Sequence, residues 1–93
     1  AVAQAAVTAG FDRKLSKDER QFLYLPFEHS EDASMQLRSV KLFADLQDAS
    51  LNDFAQRHKA IVDRFGRFPH RNAALGRAST PDELAFVAVT PPF

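Results

Sequence analysis

Ser50-Leu51-Asn52-Asp53-Phe54-Ala55-Gln56-Arg57-His58-Lys59-Ala60-Ile61-Val62-Asp63-Arg64-Phe65-Gly66 is the stretch on which the fold is read. From Phe54, the residues His58, Ile61, Val62 and Phe65 follow at i+4, i+7, i+8 and i+11, which winds them onto one face of a helix. Ser50 to Asp53 supplies the polar start, and Gly66 the left-handed stop. Upstream, Ser30 with Glu31 and Asp32 opens another amphipathic helix that runs to about Asp48. It sets Gln36, Val40, Phe43 and Gln47 on one stripe, Met35, Leu42 and Leu46 beside it, and Arg38, Lys41 and Asp45 outside. The pair forms a helical hairpin of roughly the length of a tetratricopeptide unit, without that repeat's signature residues. Phe43, Phe54, Ile61, Val62 and Phe65 are expected to share one core.

Working outward, Ser16-Lys17-Asp18-Glu19 is a capping box. The helix it starts is expected to carry Phe22, Leu23 and Leu25 inward, and to kink or end near Phe27 to His29 because Pro26 removes a backbone donor. Ala1 to Ala9 reads as the tail of a helix stopped by Gly10, with Phe11 to Leu15 as a link. Downstream, Arg67 to Asn72 is a loop, Ala73 to Leu75 a short turn stopped by Gly76, and Thr80-Pro81-Asp82-Glu83 the start of a last helix to about Val89. Thr90-Pro91-Pro92-Phe93 is a stiff terminus. Sustained two-residue alternation is missing throughout, so the expected class is all-α, antiparallel helical hairpins in a single domain over 1–93.

Composition narrows the function. The 93 residues carry 12 Lys+Arg against 12 Asp+Glu, and this neutrality argues against extended nucleic-acid binding. No apolar run approaches the roughly 20 residues of a membrane span, and the Ala-rich opening lacks the charged start of a signal peptide. Without Cys there is neither a disulfide nor a thiolate metal site. Nine Phe with one Tyr and no Trp favour packing over polar work.

Three places could carry chemistry. Glu28-His29-Ser30-Glu31-Asp32 sets three acids around a histidine, but acids at a helix start also answer the helix dipole, and capping is the reading adopted. His58 on an apolar face reads as a core histidine bonded to Glu28, Glu31 or another neighbour. Arg64-Phe65-Gly66-Arg67-Phe68-Pro69-His70-Arg71-Asn72 interleaves guanidinium groups with aromatic rings and suits an anion. The reading adopted is structural: Phe65 and Phe68 plug the core, and a clasp forms in which Arg67 or Arg71 pairs with an acid of the Glu28 to Asp32 strip. No nucleophile motif or phosphate loop is present, so the reading leans away from an enzyme, with no catalytic residue, no metal and no cofactor assigned.

The strings Tyr24-Leu25-Pro26-Phe27-Glu28-His29-Ser30-Glu31-Asp32, Arg57-His58, Arg64 to Asn72 and Ser79-Thr80-Pro81 closely resemble the family called domain of unknown function 924. Gly10-Phe11-Asp12, Gln36, Arg38, Ser39 and Val40 fit it too. The resemblance covers nearly the whole chain but only the C-terminal half of the family domain, whose N-terminal half bears Trp. It implies a tetratricopeptide-like helical fold and a cytoplasmic protein, organellar in a eukaryote. It supplies no reaction; Glu28, His29, His58, Arg67, His70, Arg71 and Asn72 stand as motif positions, with Glu31 added from the clasp.

The expected function is therefore a helical protein-interaction or structural module within a longer chain or assembly. Its partners would be the absent N-terminal half, another protein or a second copy, with no membrane insertion. The alternative is a small-molecule or anion-binding protein, an enzyme among the options, with a site from Glu28 to Asp32, His58 and Arg67 to Asn72. Convergence of these side chains on an open pocket separates it from a closed structural network.

Overall fold

The computed structural model describes residues 7 and 10–92, with the side chain of Phe11 outside that description. The helix expected over Ala1 to Ala9 therefore lies outside the described residues except at Val7. Among the described residues the chain is all helical: a 3-10 helix over Phe11–Lys14, then α1 (Lys17–Glu28), α2 (Ala33–Ala44) and α3 (Ala49–Phe65), a second 3-10 helix over Pro69–Arg71, and α4 (Pro81–Val89). Links at 29–32 and 45–48 are too short for anything but a reversal, so α1, α2 and α3 pack as successive antiparallel hairpins. No helix among the described residues is long and apolar enough to cross a membrane.

Helix ends follow local chemistry closely. Ser16 Oγ accepts from the Glu19 amide at 3.2 Å while Glu19 accepts from the Ser16 amide at 3.1 Å. Thr80 and Glu83 repeat this box at 3.1 and 2.9 Å. Gly66 ends α3 at φ +73°, a conformation an L side chain rarely adopts. Two starts are shifted from expectation. Asp32, not Ser30, caps α2, accepting from the amides of Ser34 and Met35 at 2.8 and 3.1 Å, while Ser30 Oγ accepts from the Asp32 amide. α2 stops at Ala44 because Gln47 turns to φ +54° and Asp48 swings round to cap α3, accepting from the Leu51 amide at 3.1 Å.

The single core expected from α3 divides in two. Tyr24, Phe43, Leu46 and Ala55 form one cluster, and Ile61, Val62 and Phe68 another, against which Phe65 and Phe86 pack. Ala55 and Ile61 are six residues apart, about 9 Å along the helix axis at 1.5 Å per residue, so the two ends of α3 meet different partners. Phe54 does not join either and is 44% exposed. The small side chain of Ala55 is the one buried at that level, and Phe54, one residue and about 100° away, is turned outward.

α1 corrects a second expectation. Tyr24, Phe27 and Glu28 are its buried residues at i, i+3 and i+4, whereas Phe22 is 77% exposed and Leu23 and Leu25 only half-buried. Apolar residues lie on more than one side of α1, and the polar tip of Tyr24 decides between them. Its hydroxyl donates to buried Asp12 and accepts from Arg20 Nε at 3.1 Å, while its ring meets Phe43 edge-on at 5.7 Å.

Candidate functional site

α1 ends where α3 is in mid-course, and the loop after α3 folds back over both. Two groups of polar side chains result. In the first, Glu31 accepts from Arg77 through both oxygens, at 2.9 and 3.0 Å, and from the Phe68 amide at 2.7 Å. The Arg77 guanidinium holds the Glu31 carboxyl below the usual range. Arg77 Nε also donates to Asn72 Oδ1 at 3.0 Å, and buried Asn72 donates to Ser79 Oγ at 3.0 Å. Arg67 grips buried Glu83 at 2.8 and 2.7 Å and the Ala78 carbonyl at 2.8 Å. With Arg67 as its main cause, and the Thr80 amide second, the Glu83 carboxyl falls to about 2.

The expected pairing of Arg67 or Arg71 with an acid of the strip after α1 is not found; the strip and the loop are clasped instead through Arg77. Arg77 takes Glu31, Arg67 turns forward to α4, and the Arg71 side chain makes no ion pair or hydrogen bond among the described residues. The reason is geometric: Arg67 precedes the 3-10 turn at Pro69–Arg71 and faces the α4 start, whereas the turn after Asn72 returns Arg77 to Glu31.

The second group surrounds an open cavity of about 300 Å³ lined by His29, His58, Phe68, His70, Arg71 and Pro92. His58 is buried on α3, and its Nδ1–H donates to the Phe54 carbonyl at 2.7 Å, since a carbonyl can only accept. That bond leaves Nε2 as the acceptor nitrogen of the neutral ring, 3.7 Å from Glu28 Oε1. His29 Nε2 is also 3.7 Å from that oxygen, and the two imidazoles stack with centroids 5.6 Å apart. Burial pushes the Glu28 carboxyl up to about 7. Burial also lowers both histidines, with the charge of Arg71 acting in the same direction. Burial thus works against charge on all three groups. Arg71 lies over the Phe68 ring at 4.4 Å, and His70 Nε2–H donates to the Thr90 carbonyl at 2.7 Å, anchoring the wall to the end of α4.

Of the residues singled out from sequence, His29, His58, His70 and Arg71 line the cavity, with Glu28 buried against the two imidazoles; Glu31, Arg67 and Asn72 are taken up by the polar network beside it. Phe68 belongs to the expected Arg67 to Asn72 string, whereas Arg77 and Glu83 are not among the candidates the sequence offers. Glu83 had a visible signal in its capping box, but Arg77 bonds across 46 positions and nothing local marks it. Glu28, His29 and His58 each offer a ligand atom within 4.8 Å of the others, the grouping among the described residues able to hold a metal ion.

Helical layers joined by short turns, with a histidine and arginine pocket at one end, define the class to which the chain is compared. It belongs to the family described as bacterial protein of unknown function, DUF924, which matches residues 1–90. It is similar to a solved protein of unknown function, ATU0120 from Agrobacterium tumefaciens, with 44% identity and a TM-score of 0.85 over 91% of this chain and 48% of that one. The chain thus spans about half the length of that relative. No curated protein matches it.

Proposed function

We propose that the cavity at the end of α1 binds a small anion, a phosphate or carboxylate group carried by a small molecule. The observation that carries this reading is Arg71: a guanidinium on the wall of an open cavity that makes no salt bridge among the described residues and feels the charge of Glu31 only at longer range. An arginine so placed presents a fork of donors suited to an oxyanion. Glu28 opposes it less than an exposed carboxylate would, because burial pushes that carboxyl up to about 7. The imidazoles of His29 and His58 add polar contacts, and Phe68 and Pro92 an apolar wall.

Titration with inorganic phosphate and with succinate, followed by NMR, tests this. The expected shifts fall on His29, His58, Phe68, His70 and Arg71, and Arg71→Ala weakens binding at least about tenfold, the scale of a charge-assisted hydrogen bond. Arg64→Ala, an arginine resting on Phe65 at 4.5 Å away from the cavity, leaves affinity unchanged. Equal binding by the Arg71→Ala protein would sink the reading.

A second reading, a helical interaction module of tetratricopeptide-like kind, is favoured by exposed Phe22, which with Leu15 and Leu23 lines an open apolar groove on α1. The occupant proposed is a further helical layer of the same polypeptide, of the kind the longer relative has room for. The 93-residue chain is expected to bind a hydrophobic dye, and a polypeptide extended to the relative's length to lose that binding. Equal dye binding by both refutes it.

A further inference from the structure

The oxygen of Glu28 stands equally far, 3.7 Å, from two imidazole nitrogens, too far for a hydrogen bond to either. Three neutral or ionisable donors at such spacing, in a buried corner, leave room between them rather than contact. A tetrahedral ion with bonds of about 2.0–2.1 Å sets its ligand atoms roughly 3.3–3.4 Å apart, so a contraction of a few tenths of an ångström would close the Glu28 distances on a metal. All three ligand atoms already lie within 4.8 Å of one another. The supporting shell is also in place. His58 is fixed by its Nδ1–H bond to the Phe54 carbonyl, the outer contact that orients a ligating imidazole and selects its Nε2. His29, whose side chain is about half exposed, has the freedom to swing the remaining distance.

We propose that Glu28, His29 and His58 form a three-ligand site for a zinc-like divalent transition metal, open toward Arg71, so that an anion in the cavity bridges the metal and the guanidinium. The inference deepens the anion-site reading and rests on it for the bridging step. Two nitrogens and one oxygen suit a borderline ion rather than calcium or magnesium, which prefer oxygen. Three protein ligands leave a coordination position for water or substrate, the arrangement of reactive rather than closed sites. Charge explains the need for the anion: one carboxylate against a divalent ion leaves a positive centre, and Arg71 beside it adds a second. The chemistry such a centre would take is a phosphate or carboxylate ester or acid.

Cobalt(II) chloride is the probe, because its visible absorption reports nitrogen and oxygen ligation directly. One ion per chain is expected, displaced by zinc, with affinity falling on the order of 10- to 100-fold or more in His29→Ala and Glu28→Gln. His29→Ala is the decisive variant, since its half-exposed ring is not needed to fold, whereas His58→Ala removes a buried one. Added phosphate should alter the cobalt spectrum of the parent and not that of Arg71→Ala, which still binds the metal. No cobalt spectrum, or equal affinity in His29→Ala, overturns the metal site. If phosphate then still binds through Arg71, the anion reading survives alone. If cobalt binds and phosphate changes nothing, the anion reading fails and the bridge with it, while the three-ligand site stands.

Discussion

The clasp and the cavity share a wall and use the same residue types, yet they differ in how completely those residues are satisfied. Around Glu31 and Glu83 every carboxylate oxygen meets a guanidinium or an amide, and buried Asn72 both accepts and donates. Three residues before Glu31, the Glu28 carboxyl makes no hydrogen bond among the described residues, and Arg71 no ion pair. A closed network fixes structure, because each member left alone would cost a desolvated polar group. An open one has bonding capacity to spend on something else. The lesson is that charge-rich motifs in one loop need not share a role: adjacent arginines here serve opposite ends.

Phe68 is the sharpest way to break the comparison, because its amide belongs to the clasp while its ring lines the cavity and meets His58 edge-on. It is buried against Ile61 and Val62, so Phe68→Ala should cost about 3–5 kcal/mol in urea unfolding. A loss under about 1 kcal/mol would show that the second cluster does not depend on it.

Asn72→Ala tests the clasp alone. It strips partners from Arg77 and Ser79 and should cost about 1–3 kcal/mol, the penalty for unsatisfied buried groups. Phosphate affinity should not move; if it falls with stability, the two regions are not separable.

Acid should separate them further. The folded Glu83 carboxyl lies at about 2, below its ordinary value near 4.5, so the folded state binds its proton later than the unfolded chain does. Its stabilisation is complete above about pH 4.5 and is lost as pH falls toward 2, and Glu31, lowered by Arg77, acts in the same direction. Urea midpoints taken down this range should decline in the parent and decline less in Glu83→Gln. Parallel slopes would contradict the assignment.

Arg71→Ala should have the smallest effect on stability, about 0.5–1 kcal/mol from its contact with Phe68. The same change is expected to have the largest effect on anion affinity. A stability loss as large as that of Asn72→Ala would mean that Arg71 is structural after all.

What the sequence disclosed and what it withheld follow from the range of each interaction. The boxes at Ser16–Glu19 and Thr80–Glu83 and the stop at Gly66 act within three or four residues and were legible as strings. The phase of α1 was not, since Phe22, Leu23, Tyr24, Leu25 and Phe27 offer apolar surface on several sides and the choice rests on the Tyr24 hydroxyl reaching Asp12. His58 is legible as a histidine on an apolar face that needs a polar neighbour, with Glu28 and Glu31 among the options; the structure bonds it to the Phe54 carbonyl of its own helix and sets Glu28 Oε1 at 3.7 Å. Arg71 was legible as a candidate but not as the unpaired one. That distinction depends on Arg77, which competes for Glu31 from the far side of a turn.

The Gln36 side chain, fully buried on α2, donates to the carbonyls of Glu28 and Ser30, only eight and six positions away. The bonds that close the far wall span 37 positions for Phe68 to Glu31 and 46 for Arg77 to Glu31. Long loops carry the larger closure entropy, so the corner between α1 and α2 should form early in folding and the wall late. If the same order runs backwards in the native protein, the Phe68 amide should exchange with deuterium sooner than the amides of α2. The backbone of Glu28 and His29 would then stay on a fixed ledge, with the His29 side chain free to turn, as the loop swings, giving the pocket a hinge and its occupant a way in.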